Sequence, residues 1–103
     1  MANVIQQGAT PTHKFHTPYP KDFVESAIIT YEQNDKIVLE KTGDELIVED
    51  NSISAELTQE DTLSFSDDCD VKIQLKVKSQ NGSVIPSKII YATVDEVLNK
   101  EVM

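Results

Sequence analysis

The chain reads as an all-β protein, an immunoglobulin-like antiparallel β-sandwich of about seven strands. Three observations carry this. Val71, Ile73, Leu75 and Val77 alternate with Lys72, Gln74, Lys76 and Lys78, the period-two pattern of a strand with one buried and one wet face. Short runs rich in Val, Ile and Thr recur at spacings of roughly ten residues, with turn-forming residues between them. Tryptophan is absent and aromatics make up only 6% of the chain, so the core must rest on Val, Ile and Leu.

In chain order, residues 1–12 (MANVIQQGATPT) are small and polar and read as a flexible N-terminal arm. Residues 13–94 form the sandwich domain, and residues 95–103 a tail or a short helix capped by Asp95. His13 to Phe23 contains Pro18 and Pro20, which cannot donate to a ladder, so it reads as an edge strand or extended segment. Ser26–Glu32 and Lys36–Lys41 are strands joined by the turn Gln33-Asn34-Asp35-Lys36. Leu46–Glu49 and Ser52–Leu57 form a second pair around Asp50-Asn51. Thr58 then reads as a helix N-cap followed by acids, where the helix dipole favours them. One helical turn over Thr58–Thr62 should cross between sheets, with Leu63 and Phe65 plugging the end of the core.

The last unit is a hairpin from Asp70 to Val94. Asn81-Gly82 predicts a type I′ turn, which needs φ > 0 at both central residues. Pairing across it puts Ile73 opposite Ile90 and Val71 opposite Ala92, which suits one buried face. The same pairing puts Leu75 opposite Lys88 and Val77 opposite Pro86, so a bulge is expected near Pro86.

Charge narrows the function. The net charge is −9 and all nine basic residues are lysine. Phosphates need cationic surface, and arginine's bidentate fork is missing, which argues against nucleic-acid partners and phosphoryl transfer. The distribution is uneven: residues 22–70 carry −13 and residues 71–94 carry +4. One reading is that the basic hairpin neutralises acidic neighbours within the fold; the other is that an acidic face and a basic face meet between subunits. Lys72, Lys76, Lys78 and Lys88 are therefore the candidate interface residues. No segment approaches the roughly 18–20 apolar residues of a membrane span, and no leader-like apolar run opens the chain, so neither membrane insertion nor export is expected.

No catalytic or cofactor site is expected. His13 and His16, three apart in an extended segment, fall on opposite faces and suit no single metal ion. Asp67, Asp68 and Asp70 surround the single cysteine, Cys69, and disfavour its thiolate, so a poor nucleophile is expected. Those carboxylates lack the spacing of a calcium loop and read as a solvated turn. Serine, histidine and aspartate all occur, but no Gly-x-Ser-x-Gly elbow does. Glu49-Asp50 and Asp44-Glu45 are sequence neighbours that read as turn solubilisers.

The run Gly8-Ala9-Thr10-Pro11-Thr12-His13-Lys14-Phe15, the stretch Ile28 to Lys41 (IITYEQNDKIVLEK), Leu57-Thr58-Gln59-Glu60-Asp61-Thr62 and Val71-Lys72-Ile73-Gln74-Leu75 together resemble small phage and prophage proteins of Gram-positive gut bacteria, encoded among late structural genes. The order strand, Leu-Thr-x-Glu-Asp turn, long strand, Asn-Gly, strand is also similar to the N-terminal sandwich module of phage baseplate upper proteins. The resemblance implies a non-enzymatic virion or assembly protein that contacts its own copies or other virion subunits. It would be made in the host cytoplasm, with the virion as its later station. Two other readings compete: a carbohydrate- or surface-binding adhesin module, which needs Tyr19, Tyr31 or Tyr91 exposed on one face, and a small regulator or inhibitor of a host protein.

Overall fold

The computed structural model describes residues 3–103. Among these residues nine strands form two packed sheets. They are β1 (Asn3–Gln6), β2 (Thr12–His16), β3 (Val24–Gln33), β4 (Lys36–Thr42), β5 (Leu46–Glu49), β6 (Ser52–Glu56), β7 (Val71–Ser79), β8 (Val84–Pro86) and β9 (Ile90–Asp95). The large sheet runs β1-β9-β7-β3-β4, with β8 beside β7 beyond the end of β9; the small sheet runs β2-β6-β5. Together they form a β-sandwich, with a single short α-helix among the described residues, α1 (Gln59–Leu63).

The inward residues of β3 and β7 build the centre. Ile29, Tyr31, Ile53, Ala55 and Val71 are fully buried, and Ile73, Leu75 and Val77 are nearly so. Antiparallel pairing sets Ile29 beside Leu75 and Tyr31 beside Ile73, so the two longest strands present one continuous apolar surface to the small sheet. The alternation read in residues 71–78 is thus the actual face assignment, with the lysines of β7 outside.

The chain crosses between sheets at α1. Thr58 caps it: its hydroxyl accepts from the Asp61 N–H at 3.1 Å, and the Asp61 carboxylate accepts from the Thr58 N–H at 2.9 Å. Phe65 is buried behind the helix as expected, whereas Leu63 is only half-buried. Two buried glutamines then pin the following loop. Gln33 donates to the carbonyls of Ser66 and Cys69 at 2.7 and 3.1 Å and accepts from the Ser66 N–H at 2.9 Å. Gln7 donates to the Phe65 carbonyl at 2.7 Å. A buried amide that finds both partners costs little and fixes a unique loop position.

Two local expectations need correction. The N-terminal arm is a strand: Asn3–Gln6 pairs in parallel with Ala92–Asp95, and Ile5 is buried in the core. A short uncharged stretch with one inward isoleucine adds to a sheet more readily than it stays solvated. Met1 and Ala2, the start of that expected arm, lie outside the described residues. At the other end, of the two readings of the C-terminus, residues 96–103 take the irregular tail rather than the short helix, and Asp95 closes β9. The Asn81-Gly82 turn is not type I′. Gly82 alone has positive φ, at 89°, and the bonds Gly82 N–H to Ser79 O and Ser79 N–H to Ser83 O close a three-residue loop over Gln80–Gly82. The turn with two positive φ values is Asn34-Asp35, at 51° and 63°, between the paired residues Gln33 and Lys36.

The Val71–Ala92 and Ile73–Ile90 pairs form as read. Past them the ladder slips by one residue: Val77 faces Ile85, and Leu75 bonds Ser87 rather than facing Lys88, donating to the Ser87 hydroxyl at 3.0 Å and accepting from the Ser87 N–H at 2.7 Å. The extra residue is absorbed in Ser87–Ile89, next to the proline that removes a ladder donor.

Candidate interaction face

The outer face of the large sheet carries the lysines. Cross-strand register builds its rows: Lys72 lies between Glu32 and Tyr91, Lys76 between Ile28 and Pro86, and Lys78 between Ser26 and Val84. Lys88 sits beside them in the loop that absorbs the slip. The structure therefore brings Lys72, Lys76 and Lys78 onto one surface because β7 is long and unbroken, and places Lys88 at its margin.

These charges have little internal partnership. Lys78 approaches Glu25 at 4.0 Å with both side chains about half exposed, a contact worth little in water. Lys72, Lys76 and Lys88 form no ion pair among the described residues, although Glu32 is the cross-strand neighbour of Lys72. Exposed apolar side chains accompany them: Tyr91, Val84 and Ile89 are each roughly half exposed. A shallow depression of about 210 Å³ lies between Thr30, Glu32, Lys72, Gln74, Lys76 and Ile89. Positive charge around apolar patches with weak internal pairing suits contact with an acidic protein surface.

A second polar cluster lies inside the sandwich. β2 turns His13 inward, and its Nδ1 shares a 2.7 Å hydrogen bond with the hydroxyl of fully buried Tyr31. Lys41 also points inward from β4, with Nζ 2.8 Å from the Asp61 carboxylate and 3.6 Å from that of Glu45. Burial pulls the His13 imidazolium below its ordinary range. Burial, with the Asp61 charge adding to it, pushes the Tyr31 phenol well up, so both partners of the bond are neutral at neutral pH. Asp61 is pulled up by burial but further down by Lys41 and the Thr58 cap, and stays ionised. Tyr31 is enclosed and already bonded to His13, so the cluster ties both sheets and α1 together. Sequence reasoning missed these contacts. The one available signal was a lysine at an inward position of a strand, Lys41 two residues after Leu39.

The remaining sequence candidates are dispersed. His16 is exposed on the face opposite His13. Cys69 is half-buried in the α1–β7 loop, and Asp67, Asp68 and Asp70 around it are exposed. Among the described residues, no three imidazole, thiol or carboxylate groups gather as a metal ion would require. The tyrosines occupy three settings: Tyr31 in the core, Tyr91 on the outer sheet face, and Tyr19 stacked on Phe23 with ring centroids 4.7 Å apart. Among the described residues, no helix is long and apolar enough to cross a membrane. No family model, curated protein or solved structure matches the chain.

Proposed function

We propose that this is a non-enzymatic structural or assembly protein of a phage or prophage particle, acting through protein–protein contacts made by the outer face of its large sheet. The observation that carries this reading is the stripe Lys72–Lys76–Lys78, with Lys88 beside it, flanked by Tyr91, Val84 and Ile89 on a chain of net charge −9. A two-fold contact centred on this stripe would stack lysine on lysine, so the partner is an acidic surface of another subunit. The adhesin alternative loses support because Tyr31 is enclosed and Tyr19 and Tyr91 stand on different parts of the molecule.

The test is sedimentation of the protein with purified particle subunits from about 0.05 to about 0.5 M salt, over which the screening length falls to a few Å. A complex that weakens with salt and is lost when Lys72, Lys76, Lys78 and Lys88 are all changed to Glu is expected. Mass spectrometry of purified particles should find the chain. Absence from particles, together with no binding to any subunit at low salt, would leave the regulator reading ahead.

A further inference from the structure

The small sheet ends at β2, and beside that edge the sandwich is open. Two contiguous depressions run along it, of about 260 and 180 Å³, sharing Phe15 as a wall. Half-buried Ile90 lines the first and half-buried Ile85 the second, over the buried Ile73, Ala92, Leu75 and Val77, so the floor is the inner face of the large sheet. Five strands stand abreast in the large sheet against three in the small one. The strip beyond β2 is where a fourth strand of the small sheet would lie.

The backbone of β2 is arranged to accept one. Leu57 N–H donates to Pro11 O at 2.9 Å, and Thr17 N–H to Asn51 O at 3.0 Å. Because closely and widely spaced pairs alternate along an antiparallel ladder, His13 and Phe15 also bond toward β6, and the N–H and C=O groups of Thr12, Lys14 and His16 face the open edge. Those groups take no other backbone or side-chain partner among the described residues. Side chains of an added strand would alternate between the apolar floor and solvent.

Charge selects the occupant. The residues lining the two depressions include the cation Lys14 and no aspartate or glutamate, in a chain where acids outnumber lysines two to one. Self-pairing of β2 about a two-fold axis at Lys14 would set Lys14 against its own copy, which is unfavourable. We propose that the β2 edge binds an extended segment of a partner protein by strand addition, apolar residues alternating into the groove and acidic ones lying beside Lys14. This goes beyond the outer-face contact and uses different residues, so either can fail alone.

The probe is a blocked peptide of alternating valine and aspartate, about seven residues long, compared with its valine–lysine counterpart. Amide exchange is followed on the full chain by NMR. The aspartate peptide should slow exchange at Thr12, Lys14 and His16 by on the order of tenfold, while His13 and Phe15, already bonded to β6, change little. Lys14→Glu, an exposed substitution that leaves the core intact, should abolish the effect and let the lysine peptide bind instead. The proposal is overturned if neither peptide protects these amides, if both do so equally, or if protection maps to β4 or to the outer lysine face. Concentration-dependent protection of the same amides without peptide would overturn it in favour of a second copy.

Discussion

β4 and β2, edge strands of the large and the small sheet, differ in how they would meet a neighbouring strand. β4 closes the large sheet with seven residues, exposed Ile37 among them, the kind of edge that recruits unwanted strands. It is guarded twice. Its register against β3 shifts at Tyr31/Glu32, leaving Val38 as an extra residue, and Lys41 is turned inward onto Asp61. A strand added beside β4 would have to pack its inward side chains next to that buried charge. β2 carries neither device. Its inward residues are His13 and Phe15, its ladder against β6 is regular, and its limits are set by Pro11 and Pro18. One edge spends core position on exclusion; the other leaves an apolar groove beside free backbone groups.

The largest expected effect comes from breaking the guard on β4. Lys41→Ala should cost about 3 kcal/mol, because the half-buried Asp61 loses its cation and the buried lysine stem leaves a void; urea denaturation measures it. Lys41→Met sharpens the comparison further. It fills the same space without charge and should cost less than the alanine variant, yet it removes the inward charge that protects the edge. Concentration-dependent self-association seen by light scattering for Lys41→Met, and not for the parent, is the expected result. A strictly monomeric Lys41→Met protein would show that the bulge alone guards β4.

On the β2 side, Phe15→Ala should cost roughly 2 kcal/mol, less than a fully enclosed phenylalanine would, because this ring also borders the groove. A loss as large as that for a core residue would mean that the groove is closed. The two sides should also separate by pH. His13 has its imidazolium disfavoured in the fold, so the unfolded chain binds the extra proton as pH drops below about 6.5, and stability falls from there downward. Asp61 has its carboxyl lowered in the fold, so its contribution is complete above about 4 and is lost only as pH falls through the folded value. His13→Gln should flatten the upper limb alone, and Asp61→Asn the lower one, in thermal melts across that range. The smallest change belongs to Lys14→Ala, whose exposed side chain should alter stability by no more than about 0.5 kcal/mol in the same denaturation assay.

Much of the sheet pattern was legible because it is local or nearly so. Alternation in Val71–Val77 assigned its two faces, Thr58 announced α1, and the Ile73–Ile90 pairing followed from matching apolar residues across one hairpin. The candidate lysine face was legible for the same reason, since residues two apart on a strand share a side. Turn type was harder. Asn-Gly favours type I′, but hydrogen bonding of Ser79 to Ser83 and of the Gln80 N–H to the Phe23 carbonyl selects a three-residue loop, while Asn34-Asp35 takes the left-handed pair of conformations instead.

By itself the sequence determined the all-β class, most strand positions, the inner and outer faces of β7 and the unequal spread of charge, because each depends on spacing within a few residues or on composition. Only the tertiary structure decided that the N-terminal residues join β9 as a parallel strand, that Gln7 and Gln33 hold the α1–β7 loop, that Lys41 meets Asp61 and His13 meets Tyr31, and that β2 borders an open groove. Those contacts join residues far apart in the chain. Their geometry exists only once two sheets of unequal width are stacked, and no local periodicity encodes which edge is left uncovered.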